Sequence, residues 1–215
     1  MTLTSLFKKN RLFFLGFLVF FFASVSVLLT LSKAGAFYLL NTYHSNFLTI
    51  FFTWYTYAGD GFFCVAVSIW HFAFEKKRFL GLMALSGYVI SGIIAQVLKY
   101  YVIEARPAVY LKDSGYSYFI DDITLHNLHA FPSGHTASAF ALAAILSFAV
   151  KNKNYSLLFL AAAILVGYSR IYLAQHFIDD VLAGAVIGLF SAIICWIFFE
   201  KLFNRLLQPK KILQE

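Results

Sequence analysis

The sequence predicts an all-α integral membrane protein, a bundle of six transmembrane helices with an interfacial helix between the first and the second. Hydrophobic residues make up 61% of the 215 residues and charged residues only 13%, which lies outside the usual range of soluble domains. Apolar runs that approach the roughly 20 residues needed to cross a bilayer recur along the chain. A chain of this length is expected to form one membrane-embedded domain, residues 1–215.

Six apolar runs are the candidate membrane spans. Backbone groups in lipid must find hydrogen-bond partners within their own segment, so these runs are expected to be helices. A membrane β-barrel would need alternating polar and apolar residues, whereas these runs are continuous. In chain order they are Leu12–Leu31, Gly61–Phe74, Phe79–Val102, Thr136–Val150, Leu157–Leu173 and Phe177–Phe199.

The basic residues predict the orientation of the bundle. Twelve of the 17 Lys and Arg residues fall on one side of a six-span arrangement, and the positive-inside rule makes that side cytoplasmic, together with both termini. The net charge of +7 is therefore attributed to membrane topology, and no nucleic-acid partner is expected. The twelve are Lys8, Lys9, Arg11, Lys76, Lys77, Arg78, Lys151, Lys153, Lys201, Arg205, Lys210 and Lys211.

The N-terminal basic residues leave one alternative for the first run, because a cleaved signal peptide has a similar pattern. The length of the run and its lack of a clear small-residue cleavage site favour a retained span.

Two connections are more polar than the runs. Ala36–Ala58 mixes aromatic and polar side chains, which favours a helix at the headgroup level over an extension of the second span. Glu104–Pro132 is the longest polar stretch, and such loops commonly carry function.

Three short motifs flank the predicted outer ends of the spans. Lys99 and Arg106 are seven residues apart, close to two helical turns, so both cations would share one face. Snorkelling anchors are the alternative reading of such a pair. The second motif is Pro-Ser-Gly-His at residues 132–135, where a helix start offers free N–H groups to an anion and His135 could donate a proton. An ordinary helix cap beside an interfacial histidine is the alternative.

The third motif joins Arg170, His176 and Asp180. His176 and Asp180 are four residues apart, so on a helix the carboxylate can accept the imidazole N–H and leave the other ring nitrogen free to attack. The planar guanidinium group of Arg170 suits phosphate oxygens. Because successive spans alternate in direction, all three motifs are expected at one outer face.

These motifs resemble the membrane-bound type 2 phosphatidic acid phosphatases, whose pattern is Lys-x6-Arg-Pro, Pro-Ser-Gly-His and Ser-Arg-x5-His-x3-Asp. Every position of the pattern matches, from Lys99 to Asp180. The resemblance implies that His176 attacks phosphorus to form a phosphohistidine, that Asp180 orients it, and that His135 protonates the leaving oxygen and later activates water. It implies no metal and no other cofactor. The implied phosphate cradle consists of Lys99, Arg106, Ser133, Gly134 and Arg170.

The expected substrate is a membrane lipid phosphate. Short members of the resembled family are similar to bacterial envelope enzymes, which implies an inner-membrane protein whose site faces the periplasm or exterior. Undecaprenyl diphosphate is expected first, with phosphatidylglycerol phosphate, phosphatidic acid and lipid A phosphates as alternatives. The same motifs occur in vanadium haloperoxidases, which are soluble. The motif spacing leaves the oligomeric state open.

Two other functions and one residue remain to be weighed. A metal site is conceivable because six metal-binding side chains could gather on the outer face, but the nearby cations would repel a metal. A transporter is disfavoured because the ionisable residues cluster at one face instead of crossing the bilayer. Asp60 is expected to cap the second span rather than to contact the site. The six side chains are His126, His129, His135, His176, Asp179 and Asp180.

Overall fold

The computed structural model describes residues 2–75, 77–121 and 123–207, with side chains as far as residue 203. All regular structure in these residues is helical. The expected cytoplasmic charges at Lys76, Lys210 and Lys211, and the side chain of Arg205, lie outside the described part of the chain.

The described residues form ten α-helices and two other helical turns. The additional turns are a 3-10 turn at Thr56–Gly59 and a π-helical turn at Trp70–Phe74 that extends α5. The α-helices are α1 (Leu3–Lys9), α2 (Arg11–Thr30), α3 (Lys33–Asn41), α4 (Asn46–Tyr55), α5 (Gly61–Ile69), α6 (Arg78–Tyr101), α7 (Pro107–Tyr110), α8 (Gly134–Ala149), α9 (Tyr155–Tyr172) and α10 (Ile178–Leu207).

Four helices in the described residues are long and apolar enough to cross a membrane, namely α2, α6, α9 and the Ile178–Phe203 part of α10. They coincide with the first, third, fifth and sixth predicted runs. The other two runs form shorter apolar helices, Gly61–Phe74 and Gly134–Ala149. Helices of this length and hydropathy make the chain an integral membrane protein.

Helix α8 lies at the centre of the bundle. Its 16 residues rise about 24 Å, and α6, α9 and α10 pack around it. Alanine and serine predominate along α8, and small residues let helix backbones approach closely. Gly184 of α10 shows how close that approach is, because a Cβ atom there would lie 2.5 Å from the carbonyl oxygen of Ser133. This packing fixes α10 against the first turn of α8.

The segment between α2 and α5 forms two helices instead of the single interfacial helix that was expected. The hydroxyl groups of Ser32 and Ser45 each accept the backbone N–H three residues later, at 3.1 and 3.3 Å, and so begin α3 and α4. Asn41, at the end of α3, donates to the carbonyl groups of Ile171 and Tyr172 at 2.7 and 2.8 Å. Both helices therefore pack near the end of α9, where the third motif begins.

The long connection between α6 and α8 folds back on itself. The backbone N–H of Arg106 donates to the carbonyl of Asn127 at 2.9 Å, and that of Ala130 donates to the carbonyl of Glu104 at 3.1 Å. These bonds hold the first motif beside the residues that precede α8. The Phe131–Pro132 peptide bond just before α8 is cis.

Candidate active site

Backbone hydrogen bonds join the second and third motifs. The N–H of Ser133, at the start of α8, donates to the carbonyl of Asp180 in α10 at 3.0 Å. The N–H of His176 donates to the carbonyl of Arg170 at 3.2 Å and closes the turn between α9 and α10. The two motifs therefore meet where α8, α9 and α10 come together.

His176 and Asp180 form a buried pair. Nδ1 of His176 lies 3.3 Å from Oδ2 of Asp180, and the same oxygen accepts the backbone N–H of Phe177 at 2.9 Å. His176 is 2% exposed and Asp180 is fully buried. Because Nδ1 faces the carboxylate, Nε2 is the ring nitrogen left for an incoming atom. Burial, and then the positive charges of Arg170, Arg106 and Lys99, hold the pKa of His176 well below its ordinary value, so the ring is neutral.

Arg170 presents an unused donor in the interior of the protein. Its Nη1 donates to the hydroxyl of Thr56 at 2.7 Å, and this bond fixes the guanidinium group against the turn before α5. Its Nε is buried and has no hydrogen-bond partner in the described structure. A buried donor without a partner is costly, and an oxygen atom of a bound anion would satisfy it.

Arg106 contacts the turn between α9 and α10. Its Nε donates to the carbonyl of Leu128 at 3.1 Å, and its Nη1 donates to the side-chain oxygen of Gln175 at 3.1 Å. Gln175 directly precedes His176, so Arg106 is connected to the residue next to His176. Burial lowers the pKa of Arg106 from its ordinary value, and the nearby charge of Asp180 opposes that shift.

Lys99 is held by the loop that precedes α8. Its Nζ donates to the carbonyl of His129 at 2.6 Å, and the ring Nδ1 of His129 lies 2.9 Å from the carbonyl of Lys99. An ammonium group has three N–H donors, so this contact leaves donors for a ligand. Lys99 also lines a cavity of about 490 Å³ together with Gly134 and His135.

The first turn of α8 is shaped for an anion. The Ser133 hydroxyl accepts from the Thr136 hydroxyl at 2.9 Å and from its N–H at 3.4 Å, so this side chain caps the helix. A Cβ atom at Gly134 would meet nothing within 4 Å, and the helix start is therefore open on that side. Free N–H groups at a helix start and the helix dipole attract negative charge.

Asp60 stands across the cavity from α8. One carboxylate oxygen accepts the N–H of Phe62 at 2.9 Å and caps α5, which is the role that the sequence favoured. The other oxygen lies 3.8 Å from Nε2 of His135. Gly59 allows this approach, since a Cβ atom there would lie 2.6 Å from the carbonyl oxygen of His135.

The structure thus brings the predicted residues of all three motifs into one region. Glu104, Asp179 and Asp180 are the group that could share a metal ion among the described residues, and His126 and His129 are not part of it. The ammonium group of Lys33 contacts both Glu104 and Asp179.

Sequence reasoning missed three side chains that hold the site in place. Gln175 could have been suspected, because it lies next to His176 within the third motif. Thr56 and Lys33 belong to a segment without a motif, and only the tertiary structure brings them to the site.

This fold and site define an integral membrane protein with a buried histidine–carboxylate pair beside the open first turn of a helix. The sequence profile of the PAP2 superfamily matches residues 79–204, which is more than half of the chain, and the protein therefore belongs to this superfamily.

Individual relatives have lipid phosphatase names. The chain is 32% identical over 113 residues to the lipid A 1-phosphatase of Rhizobium johnstonii. The aligned residues cover 53% of this chain and 45% of that protein. It is 28% identical over 174 residues to the undecaprenyl-diphosphatase BcrC of Bacillus subtilis. The aligned residues cover 78% of this chain and 81% of that protein. The chain thus spans about half the length of the lipid A relative.

A solved structure has a similar fold. The crystal structure of a transmembrane PAP2-type phosphatidylglycerolphosphate phosphatase from Bacillus subtilis matches with a TM-score of 0.63 at 25% identity. The match covers 90% of this chain and 96% of that one.

Proposed function

We propose that this protein is a membrane lipid phosphatase that hydrolyses a lipid phosphate or diphosphate through a phosphohistidine at His176. The observation that carries the proposal is the buried His176–Asp180 pair at 3.3 Å, which keeps Nδ1 occupied and Nε2 available. A neutral imidazole is the nucleophilic form, and the lowered pKa of His176 supports that state.

In the proposed reaction, Nε2 of His176 forms a bond to phosphorus as the bond from phosphorus to the lipid-side oxygen breaks. His135 donates a proton to that leaving oxygen. In the second step a water oxygen bonds to phosphorus, the phosphorus–nitrogen bond breaks, and His135 takes the proton from the water. The products are inorganic phosphate and the lipid with one phosphate fewer, which is a lipid monophosphate when the substrate is a diphosphate.

The cradle residues supply the positive charge that the transition state needs. The positive charges of Lys99, Arg106 and Arg170 act on His176, and the start of α8 adds the N–H groups near Ser133 and Gly134. Fixed donors aimed at developing charge are usually the largest contribution to such catalysis. These groups can neutralise a phosphate without a divalent ion, so we propose that no metal cofactor is required.

We propose six membrane spans, with both termini cytoplasmic and the site facing the exterior. The Gly61–Phe74 helix, about 21 Å long, and α8, about 24 Å long, fall short of the roughly 30 Å hydrocarbon layer. The longer helices around α8 support its crossing, because protein rather than lipid surrounds most of it. Exposed Phe47, Trp54 and Tyr57 support a headgroup-level position for the segment that contains α4. The proposed domain is 1–215, with its motif core at 99–180.

The proposed substrate is undecaprenyl diphosphate. The relative with that activity in its name aligns over 78% of this chain, a larger share than the lipid A relative. A recycled lipid carrier also requires a phosphatase that faces outward, as the proposed orientation provides. Phosphatidylglycerol phosphate, phosphatidic acid and lipid A phosphates remain the alternatives, and the name of the structural neighbour favours the first of these.

A substrate panel tests this proposal. Purified protein in detergent, with EDTA present, is given each of the four lipids, and phosphate release is measured against the His176→Ala variant. We expect release from undecaprenyl diphosphate well above the other three, and none from the variant. A preference for another lipid would correct the substrate alone. No release from any lipid by folded protein would refute the phosphatase function.

A further inference from the structure

We propose that Lys33 is a positioning residue for this site. Its ammonium group holds Glu104 and Asp179 together and thereby keeps the start of α10 in place against the loop that carries Arg106. This inference rests on the phosphatase function proposed above, and it concerns a residue outside the three motifs.

The contacts of Lys33 join three separate parts of the chain. From the first turn of α3, its Nζ donates to Oδ2 of Asp179 at 2.8 Å and to Oε1 of Glu104. The ammonium also lies 4.6 Å from the centre of the Phe177 ring, a cation–π contact. Only 18% of the Lys33 side chain is exposed, so little water competes for these contacts.

Both carboxylates adjoin residues of the site. Asp179 directly precedes Asp180, the partner of His176. Glu104 is two residues from Arg106, and its carbonyl accepts the N–H of Ala130 at 3.1 Å. A displacement of either carboxylate would therefore move a backbone segment that carries a reacting or phosphate-binding group.

The electrostatics explain why a cation is needed at this position. Carboxylate oxygens of Glu104, Asp179 and Asp180 all lie within 4.8 Å of one another. Burial lowers the pKa of Lys33, but the hydrogen bonds to Asp179 and Glu104 outweigh that effect and raise it above its ordinary value. Lys33 is therefore charged at neutral pH. Without the Lys33 ammonium group, the neighbouring carboxylates would repel each other, and little water would be present to weaken that repulsion.

The informative variant is Lys33→Met, which keeps the length of the side chain and removes its charge. Small displacements of reacting groups can cost about 100-fold in rate, so we expect kcat to fall by at least about tenfold with a smaller change in KM. Lys112→Met, at an exposed lysine on the same outer side, is the matched control and should keep wild-type kinetics.

Two further measurements separate charge positioning from a packing role. Hard divalent cations prefer carboxylate oxygens, so millimolar calcium should raise both kcat and Tm of Lys33→Met and leave the wild type nearly unchanged. The triple variant Lys33→Met/Glu104→Gln/Asp179→Asn removes the repulsion. It should fold and recover most of the lost rate, even if the single variant is too unstable to purify.

The outcomes distinguish this inference from the function on which it rests. A wild type without phosphate release would refute the phosphatase proposal. An active wild type with an equally active Lys33→Met variant would refute only the positioning role. A rate loss that neither calcium nor the neutralised triple variant reverses would also overturn it, because packing alone would then explain Lys33.

Discussion

Asp180 Oδ2 contacts both Nδ1 of His176, at 3.3 Å, and the backbone N–H of Phe177, at 2.9 Å. The second contact fixes the carboxylate to the turn that carries the histidine, so the acceptor and the ring are positioned together. Four-residue spacing at the start of α10 makes this possible without help from another segment.

Substitution Asp180→Asn tests the contribution of the negative charge. The amide keeps the shape of the side chain, but it can present an N–H to the ring and favour the wrong tautomer. We expect kcat to fall by about 10²- to 10⁴-fold, in line with losses measured for other histidine–carboxylate pairs, with little change in KM. Steady-state kinetics on protein with unchanged circular dichroism is the measurement, and near wild-type kcat would contradict the assigned role.

The proposed proton donor, His135, predicts a dependence on the leaving group. In His135→Gln, turnover of a lipid phosphomonoester such as phosphatidic acid should fall by about 10²- to 10⁴-fold, because its alkoxide needs a proton to leave. A nitrophenyl phosphate has a stable leaving group and should lose far less. The ratio of wild-type to His135→Gln rates is measured on each of the two substrates, and the two ratios are compared. His126→Gln, at an exposed loop position, is the control. Equal losses on both substrates would argue against general acid catalysis by His135.

Two substitutions of Asp60 distinguish a role in capping α5 from a contribution to catalysis. Asn is as good a helix cap as Asp, so Asp60→Asn should keep the Tm and leave turnover within a few fold. Asp60→Ala should lower the free energy of unfolding by about 1 kcal/mol, because the cap of α5 is lost. Thermal unfolding and phosphate release are measured on both variants. A large rate loss in Asp60→Asn at unchanged Tm would instead implicate its 3.8 Å approach to His135.

The pH dependence follows from the environment of His176. Its pKa is lowered by burial first and by Arg170 second, so the neutral, nucleophilic ring persists to a pH well below the ordinary value. The acid limb of kcat/KM should therefore lie at low pH. Arg170→Gln removes one of the causes, so the pKa should rise and the acid limb should move to higher pH. Arg78→Gln, at the exposed first residue of α6, should leave the profile in place. An unmoved limb in Arg170→Gln would contradict this coupling.

The sequence predicted which motif residues lie close together in the structure, because its signals are local. Fixed spacings in the three motifs survive folding, as at His176 and Asp180, and the packing of α6, α9 and α10 around α8 brings the separate motifs together. The long apolar runs likewise predicted α2, α6, α9 and α10. The family profile confirms that the motif-based resemblance was correct.

The elements that the sequence did not predict depend on contacts between distant segments. Lys33 and Asp179 are 146 residues apart, and Arg170 and Thr56 are 114 apart, so neither pair could be predicted from periodicity or motif spacing. The division of the segment between α2 and α5 into α3 and α4 depends on the cap at Ser45, a residue type that is equally common in loops. Tertiary packing, not local propensity, decides such features.

Detection of the covalent intermediate tests the central claim most directly. Protein is mixed with lipid phosphate labelled with ³²P at the scissile group, quenched in alkali within milliseconds, and digested for mass spectrometry. The account predicts an alkali-stable, acid-labile phosphoryl group on His176 that forms and decays with turnover and is absent in His176→Ala. Turnover without any label on His176, or with label on another residue, would contradict the account.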